Sequence, residues 1–412
     1  MKVDVDRETL EREIDGLASI SDAEPPAVTR IVFTPTDLKA RRWLVERCER
    51  SGLTVRQDAI GNIFARWAGS EAHDEAIGTG SHIDAIPNAG KYDGVVGVLG
   101  GLEAIRTLQR SNFRPRRAIE LLVFTSEEPT RFGIGCLGSR LLSGTMQADQ
   151  ACKLRDKGGS SLEEARQAAG LNGPLESVKL PNGYYKAFVE LHIEQGPLLE
   201  RQQIPLGIVT EIAAPASFGI CIEGAGGHAG GVLMAERRDA LCAAAELVLA
   251  VEGAARTSGS TDTVATVGIC EVFPGAVNSI PSRVNLTLDL RDTSLERRDM
   301  AMRAIRDVGE SIACERQVSL RIEELNADAP ARCDPLVVEA LSESCKKHGY
   351  AFMKMVSRAY HDTLFMSRIT PVAMLFVPCR SGYSHRPDEY ASGEDIERGV
   401  TVLAEALARL AS

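Results

Sequence analysis

Four short strand-like runs, each breaking off into a polar loop, constrain the possible folds of this chain more than any other feature. Residues 76–82 run into SHIDAIPNAG, 118–124 into SEEPTRFG, 188–193 into EQGP and 372–377 into CRSGYSHRPDEY. Run 118–124 is apolar at every position but Glu120, which suits a strand buried on both faces of a parallel sheet. Helical periods alternate with these runs. Val95, Val98, Leu99, Leu102, Ile105 and Leu108 mark an amphipathic helix starting at Asp93-Gly94. Leu10, Ile14, Leu17 and Ile20 extend a helical reading over 7–50, strands are read at 53–58 and 62–67, and 394–410 gives a closing helix. Strands alternating with helices imply an α/β sheet that presents ligands at the carboxyl ends of its strands.

Residues 212–326 follow another pattern. Strands at 217–223, 263–272, 283–291 and 318–324 alternate with helices at 234–255 and 295–313. The order βαββαβ is that of a ferredoxin-like unit. The expectation is a larger α/β domain of mixed sheet from 1–211 and 327–412, interrupted by this smaller domain at 212–326.

Five groups carry the chemistry: His82, Asp93, the pair Glu127-Glu128, His192 and His385. Each falls just past a strand or at a helix start. Imidazole with carboxylate suits zinc, manganese or cobalt, and the lack of cysteine among them argues against a closed structural zinc site. His82 and Asp84 point the same way in extended chain, so the Asp84 carboxylate could accept the free ring N–H of His82. Glu127 and Glu128 cannot share a face of extended chain, which suits one carboxylate on a metal and one free to move a proton. A lone His beside an Asp, or a lone Glu pair, is usually a solvated or packed group. The recurrence of such groups after strands is what raises a metal site above that reading.

Composition sets the outer limits. A net charge of −10 argues against a nucleic-acid partner. No stretch has the roughly 18 apolar residues of a membrane span, and the first twenty residues are acidic where an export signal needs an apolar run. Ten scattered cysteines without a CxxC pair fit a reduced compartment. A cytoplasmic protein is expected. His73 and His348 sit in polar surroundings and read as surface groups.

GSHID, NAGKYDGVVGVLGGLEA, FTSEEPTRFG, ELHIEQGP, GGHAG and GYSHRPDEY, in this order over nearly the whole chain, resemble the allantoate amidohydrolase and N-carbamoyl-amino-acid hydrolase family. The resemblance implies a homodimeric hydrolase with two divalent ions per subunit, manganese first and zinc or cobalt as alternatives. Asp93 would bridge the ions, His82 and His192 would complete one, and Glu128 and His385 the other. Glu127 would be the general base, and the Asp93-Gly94 peptide would be cis. The inserted domain would serve as lid and dimerisation domain. Its His228 would stabilise the oxyanion in the partner's active site, and Gln195, Asn278 and Arg291 would contact substrate. EEPTRFGIGCLGSR, EIAAPASF and VSRAYHDTLFMSRI are similar to the branch of the family that acts on ureidoglycolate. A tyrosine at 360 would narrow the pocket for a short hydroxylated ureido acid, with His361 as a substrate contact or a packed neighbour. Allantoate and N-carbamoyl amino acids are the alternative substrates. A peptidase or a metal-free binding protein on the same scaffold is a more distant alternative.

Overall fold

The computed structural model describes residues 3–71 and 75–412, so His73 lies outside the described residues. The chain divides into two compact units: residues 1–210, 332–355 and 361–412 form the first, and residues 211–331 with 356–360 form the second.

The first unit is built on a mixed sheet whose strands follow the order Leu206–Ile212, Val372–Val377, Tyr185–Ile193, Ala76–His82, Ile119–Phe124, Ile63–Trp67 and Thr54–Gln57. The four strands expected from sequence form its parallel centre. Antiparallel strands flank it on both sides. Ile119–Phe124 and Val372–Val377 are buried at every position, as strands covered on both faces must be. Helix Val95–Arg110 packs along the centre of the sheet and against Gly393–Ala411. Expected to be amphipathic, it is buried from Val95 to Ile105, because the second helix covers the side it would turn to water. Segment 129–180 folds into short helices, Leu137–Ser143 and Leu162–Ala168 among them, that join a core containing Phe64, Leu122, Phe124 and Phe188.

The helical reading of 7–50 is corrected. Two helices, Arg7–Ala18 and Pro35–Arg50, flank a short strand Val28–Arg30. The Pro25-Pro26 pair withholds amide donors, so one helix cannot run unbroken from residue 7 to residue 50. Thr34 then caps the second, accepting from Asp37 N, with Pro35 in the first turn where its missing N–H costs nothing.

The second unit is a four-stranded antiparallel sheet in the order Val264–Phe273, Arg283–Asp292, Ala214–Glu223, Ser319–Ala327. Helices Ala240–Arg256 and Leu295–Arg316 pack on it through Leu247, Val251, Met302 and Ile305. Element order and strand order are both those of a ferredoxin-like unit. The first helix starts later than its apolar pattern suggested. Asp239 caps it by accepting from Leu241 N and Cys242 N, and Met234–Glu236 is a separate short turn.

Candidate active site

The five expected groups converge at the carboxyl ends of the parallel strands of the first unit. His82 ends one strand and His192 is next to last in another. Asp93 precedes helix Val95–Arg110, Glu127 and Glu128 follow Ile119–Phe124, and His385 lies in the loop beyond Val372–Val377. All are buried except His385, whose side chain is 47 % exposed.

Asp93 is the centre of the cluster. Its Oδ1 lies 3.1 Å from His192 Nε2 and 3.5 Å from His82 Nε2, and its Oδ2 lies 3.2 Å from His385 Nε2. Glu128 Oε1 is 3.4 Å from the same nitrogen of His385, and Glu127 Oε2 is 3.8 Å from His82 Nε2. Two trios result, His82-Asp93-His192 and Asp93-Glu128-His385, each able to offer ligand atoms within 4.8 Å of one another. His82 Nδ1 and His192 Nδ1 bond the carbonyls of Asp84 and Ile193 at 3.0 and 2.9 Å, which leaves both Nε2 atoms turned to the cluster. Nitrogen and carboxylate oxygen without thiolate is a donor set for divalent ions of the zinc, manganese and cobalt kind.

The electrostatics point the same way. Burial, with Glu128 close by, pushes the Glu127 carboxyl well above the usual range. Burial and Asp93 push Glu128 up to about 7. Asp93 is held well below the usual range: burial opposes this, and hydrogen bonds from His192, His385 and His82 outweigh it. The hydrogen bond to Asp93 raises His385 to about 9. Three carboxylates gathered in a buried site repel one another, and divalent cations relieve that repulsion.

Local backbone fixes the arrangement. Gly94 has φ 66°, and a Cβ there would stand 2.5 Å from His82 Nε2, so the turn after Asp93 admits only glycine at this close approach. Among the described residues the cis bonds are Pro25-Pro26 and Phe273-Pro274, and the Asp93-Gly94 peptide, expected to be cis, is not one of them. Gly94 makes the reversal through its positive φ.

Two contacts differ from expectation. Asp84 meets His82 Nδ1 with its carbonyl, while its carboxylate accepts from Glu127 N at 3.2 Å and Glu128 N at 3.0 Å. Consecutive amides of a turn are stronger donors to a buried carboxylate than a ring N–H at 3.7 Å. Asp84 thus orients the glutamate pair. Gln195, expected to face substrate, donates from Nε2 to Asp93 Oδ2 at 2.7 Å, and its Oε1 is buried without a hydrogen-bond partner. A left-handed backbone at Gln195 (φ 55°) accompanies this placement.

One residue was missed from sequence. Glu389 is buried; its Oε1 accepts from Tyr92 N at 2.8 Å and Asp93 N at 3.1 Å, and Ser384 Oγ lies 2.9 Å from its Oε2. It ties the Asp93 turn to the His385 loop. An acid four residues after one of the candidate ligand histidines was the available signal. His361 is buried with its ring 4.6 Å from that of His192 and edge-on to Phe376 at 5.7 Å, and with Glu190 and His192 it forms a further trio able to offer ligand atoms. His348, read as a surface group, is only partly exposed and stacks on Tyr350.

The remaining candidates belong to the second unit. Gly227–His228 pairs with Ser279–Ile280, and Ala229 N donates to the Asn278 carbonyl at 2.8 Å. His228 is exposed, and its Nδ1 accepts from Gly230 N at 3.1 Å, which leaves the ring proton on Nε2. Arg291 pairs with Asp289 at 2.7 Å, and its guanidinium lies 5.7 Å from the Tyr360 ring.

Residues 78–409 match the family model described as peptidase family M20/M25/M40. The chain is 51 % identical over 413 residues to ureidoglycolate hydrolase of Arabidopsis thaliana, covering 98 % of this chain and 87 % of the relative. It is 38 % identical over 405 residues to N-carbamoyl-L-amino acid amidohydrolase of Geobacillus stearothermophilus, covering 98 % of both. The crystal structure of AtUAH in complex with (S)-hydroxyglycine superposes with a TM-score of 0.91 at 50 % identity, covering 99 % of this chain and 98 % of that one.

Proposed function

The chain belongs to peptidase family M20/M25/M40, and from that premise we propose that it is a metal-dependent amidohydrolase whose substrate is ureidoglycolate. The observation that carries this reading is the pair of ligand trios sharing Asp93, beside a raised, buried Glu127, in a chain half identical to ureidoglycolate hydrolases of two plants. The bond cleaved is a C–N bond that is not a peptide bond, in the breakdown of purine-derived ureides.

His82 and His192 would hold one divalent ion, Glu128 and His385 the other, and Asp93 both. Manganese is our first assignment. Such ions supply Lewis acidity, polarising a carbonyl and easing proton loss from water. Glu127 takes the proton of the attacking water and passes it to the departing nitrogen. A buried carboxylate beside the candidate ligands is placed both to accept that proton and to return it. Asp84 holds the backbone of this pair still through two amides.

Hydrolysis at the terminal ureido nitrogen releases ammonia and leaves a carbamate. The carbamate loses carbon dioxide to give hydroxyglycine, which breaks down to glyoxylate and a second ammonia. Ureidoglycolate and one water thus account for glyoxylate, carbon dioxide and two ammonia. In support, (S)-hydroxyglycine and glyoxylate are the molecules bound in the AtUAH structures. Arg291 would clamp the substrate carboxylate with its planar fork, Asn278 and Gln195 would contact the ureido group, and Tyr360 would restrict chain length. His228, with its proton on Nε2, is equipped to donate to the oxyanion. We assign it to the partner's site in a homodimer; the exposed edge strand Val264–Phe273 is a surface on which a second copy could pair.

The test is ammonia release by the manganese-loaded protein from ureidoglycolate, allantoate and N-carbamoyl amino acids. A kcat/KM for ureidoglycolate at least tenfold above the others is expected. Preference for either alternative substrate overturns the assignment.

A further inference from the structure

We propose that Cys136 is a positioning residue for the general base, its thiol holding the Glu127 carboxylate by an S–H hydrogen bond. The proposal rests on the reading of Glu127 as base and adds the group that aims it. Cys136 Sγ lies 3.4 Å from Glu127 Oε1, a normal length for a sulfur donor. Both side chains are buried, Cys136 completely.

The backbone is built to make this contact. Cys136 N donates to the Glu127 carbonyl at 2.7 Å, Leu137 N to that of Ser126 and Gly138 N to that of Thr125. The two segments therefore run locked together beside the site. Cys136 itself adopts a left-handed conformation (φ 56°, ψ 34°) as the residue capping helix Leu137–Ser143, with no side-chain bond to that helix. Glycine is the ordinary occupant of such a position, and a cysteine there carries a backbone cost. An outlier of this kind beside a reacting group points to a task for its side chain. Here that side chain leaves the helix end uncapped and turns to Glu127. Burial, with Glu127 and Asp362 adjacent, pushes the thiol well above its ordinary pKa, so it stays protonated and can donate.

A thiol is a weak donor. It fixes the direction of Oε1 without withdrawing the basicity that proton transfer needs. Held this way, Glu127 keeps Oε2 toward His82 Nε2, 3.8 Å away on the metal side of the cluster.

The experiment compares Cys136→Ala, Cys136→Ser, Glu127→Ala and Glu127→Gln, each with metal content measured. Cys136→Ala should lower kcat roughly twofold to fivefold, the worth of one weak hydrogen bond, with KM and metal content unchanged. Cys136→Ser keeps a donor and should recover most of the rate. An infrared difference spectrum of wild type minus Cys136→Ala isolates the S–H stretch of this thiol. That band should lie at the lowered frequency of a bonded thiol and move up when Glu127→Ala removes the acceptor. Unchanged kcat in Cys136→Ala, equal losses in the Ala and Ser variants, or an S–H band indifferent to Glu127→Ala overturns the proposal. Full turnover in Glu127→Gln would instead defeat the base reading beneath it.

Discussion

At the scale of single residues, the site depends on a few atoms that no side-chain inventory reveals. Gly94 is the sharpest case. A methyl group there meets His82 Nε2 at 2.5 Å, and the positive φ adds the ordinary penalty of an L side chain. Gly94→Ala should therefore weaken metal binding by about 10–100-fold, the range seen when groups that orient ligands are disturbed. Chelator competition measures this, and unaltered affinity would show that the turn can relax away from His82. The candidate ligands were legible, because each is a His or carboxylate near the end of a strand or at a helix start. Their partners were less so. Sequence correctly pairs Asp84 with its neighbourhood but cannot tell its carbonyl from its carboxylate, and the carboxylate reaches residues 127 and 128 across the sheet. Glu389 escaped for a similar reason, since its contacts reach Tyr92 and Asp93 from the far end of the chain, and Cys136 escaped because its contact with nearby Glu127 crosses an irregular loop with no period.

At the scale of elements, strands ending in loops were the clearest features, and helix boundaries the weakest. The apolar period runs past residues 25–35 and past 234–239, yet two prolines and two caps decide where the helices begin. Segment 129–180 was not legible at all, because its short helices are shaped by the core they cover. In the second unit, Asp292 shows how one carboxylate can secure an element junction. It ends strand Arg283–Asp292 and accepts from Thr263, Ser294 and Arg297 at the start of the next helix. Burial acts to raise its pKa, but the bonds from Arg297 and Thr263 prevail and lower it. A depressed carboxylate stabilises the fold above its unfolded pKa, here about 3.8, and that stability is lost as pH falls through the folded value. Asp292→Asn should cost about 1–2 kcal/mol at neutral pH. In denaturant unfolding, its deficit against wild type should shrink below about pH 3.8. A deficit constant with pH would mean that the charge of Asp292 contributes nothing.

At the scale of the whole molecule, the reading makes activity a property of two chains. Suppose His228 serves the partner's site. Then an inactive His228→Ala protein mixed with an inactive Glu127→Gln protein should regain function, because in the mixed dimer one site has both its own base and the partner's histidine. Equal amounts that exchange freely give half mixed dimers, each with one working site of two, so roughly a quarter of wild-type activity is expected for an isologous dimer. No recovery after demonstrated exchange would confine His228 to its own chain or exclude it from catalysis.

The central claim, that Asp93 joins two metal ions into one hydrolytic centre, is tested most directly by counting ions. Elemental mass spectrometry of the active wild type and of Asp93→Ala, after removal of free metal, should give two manganese-class ions per chain in the first. The variant should have lost both ions and its ammonia-releasing activity with them. An active wild type with fewer than two ions, or an Asp93→Ala protein that keeps two ions and its activity, contradicts the account.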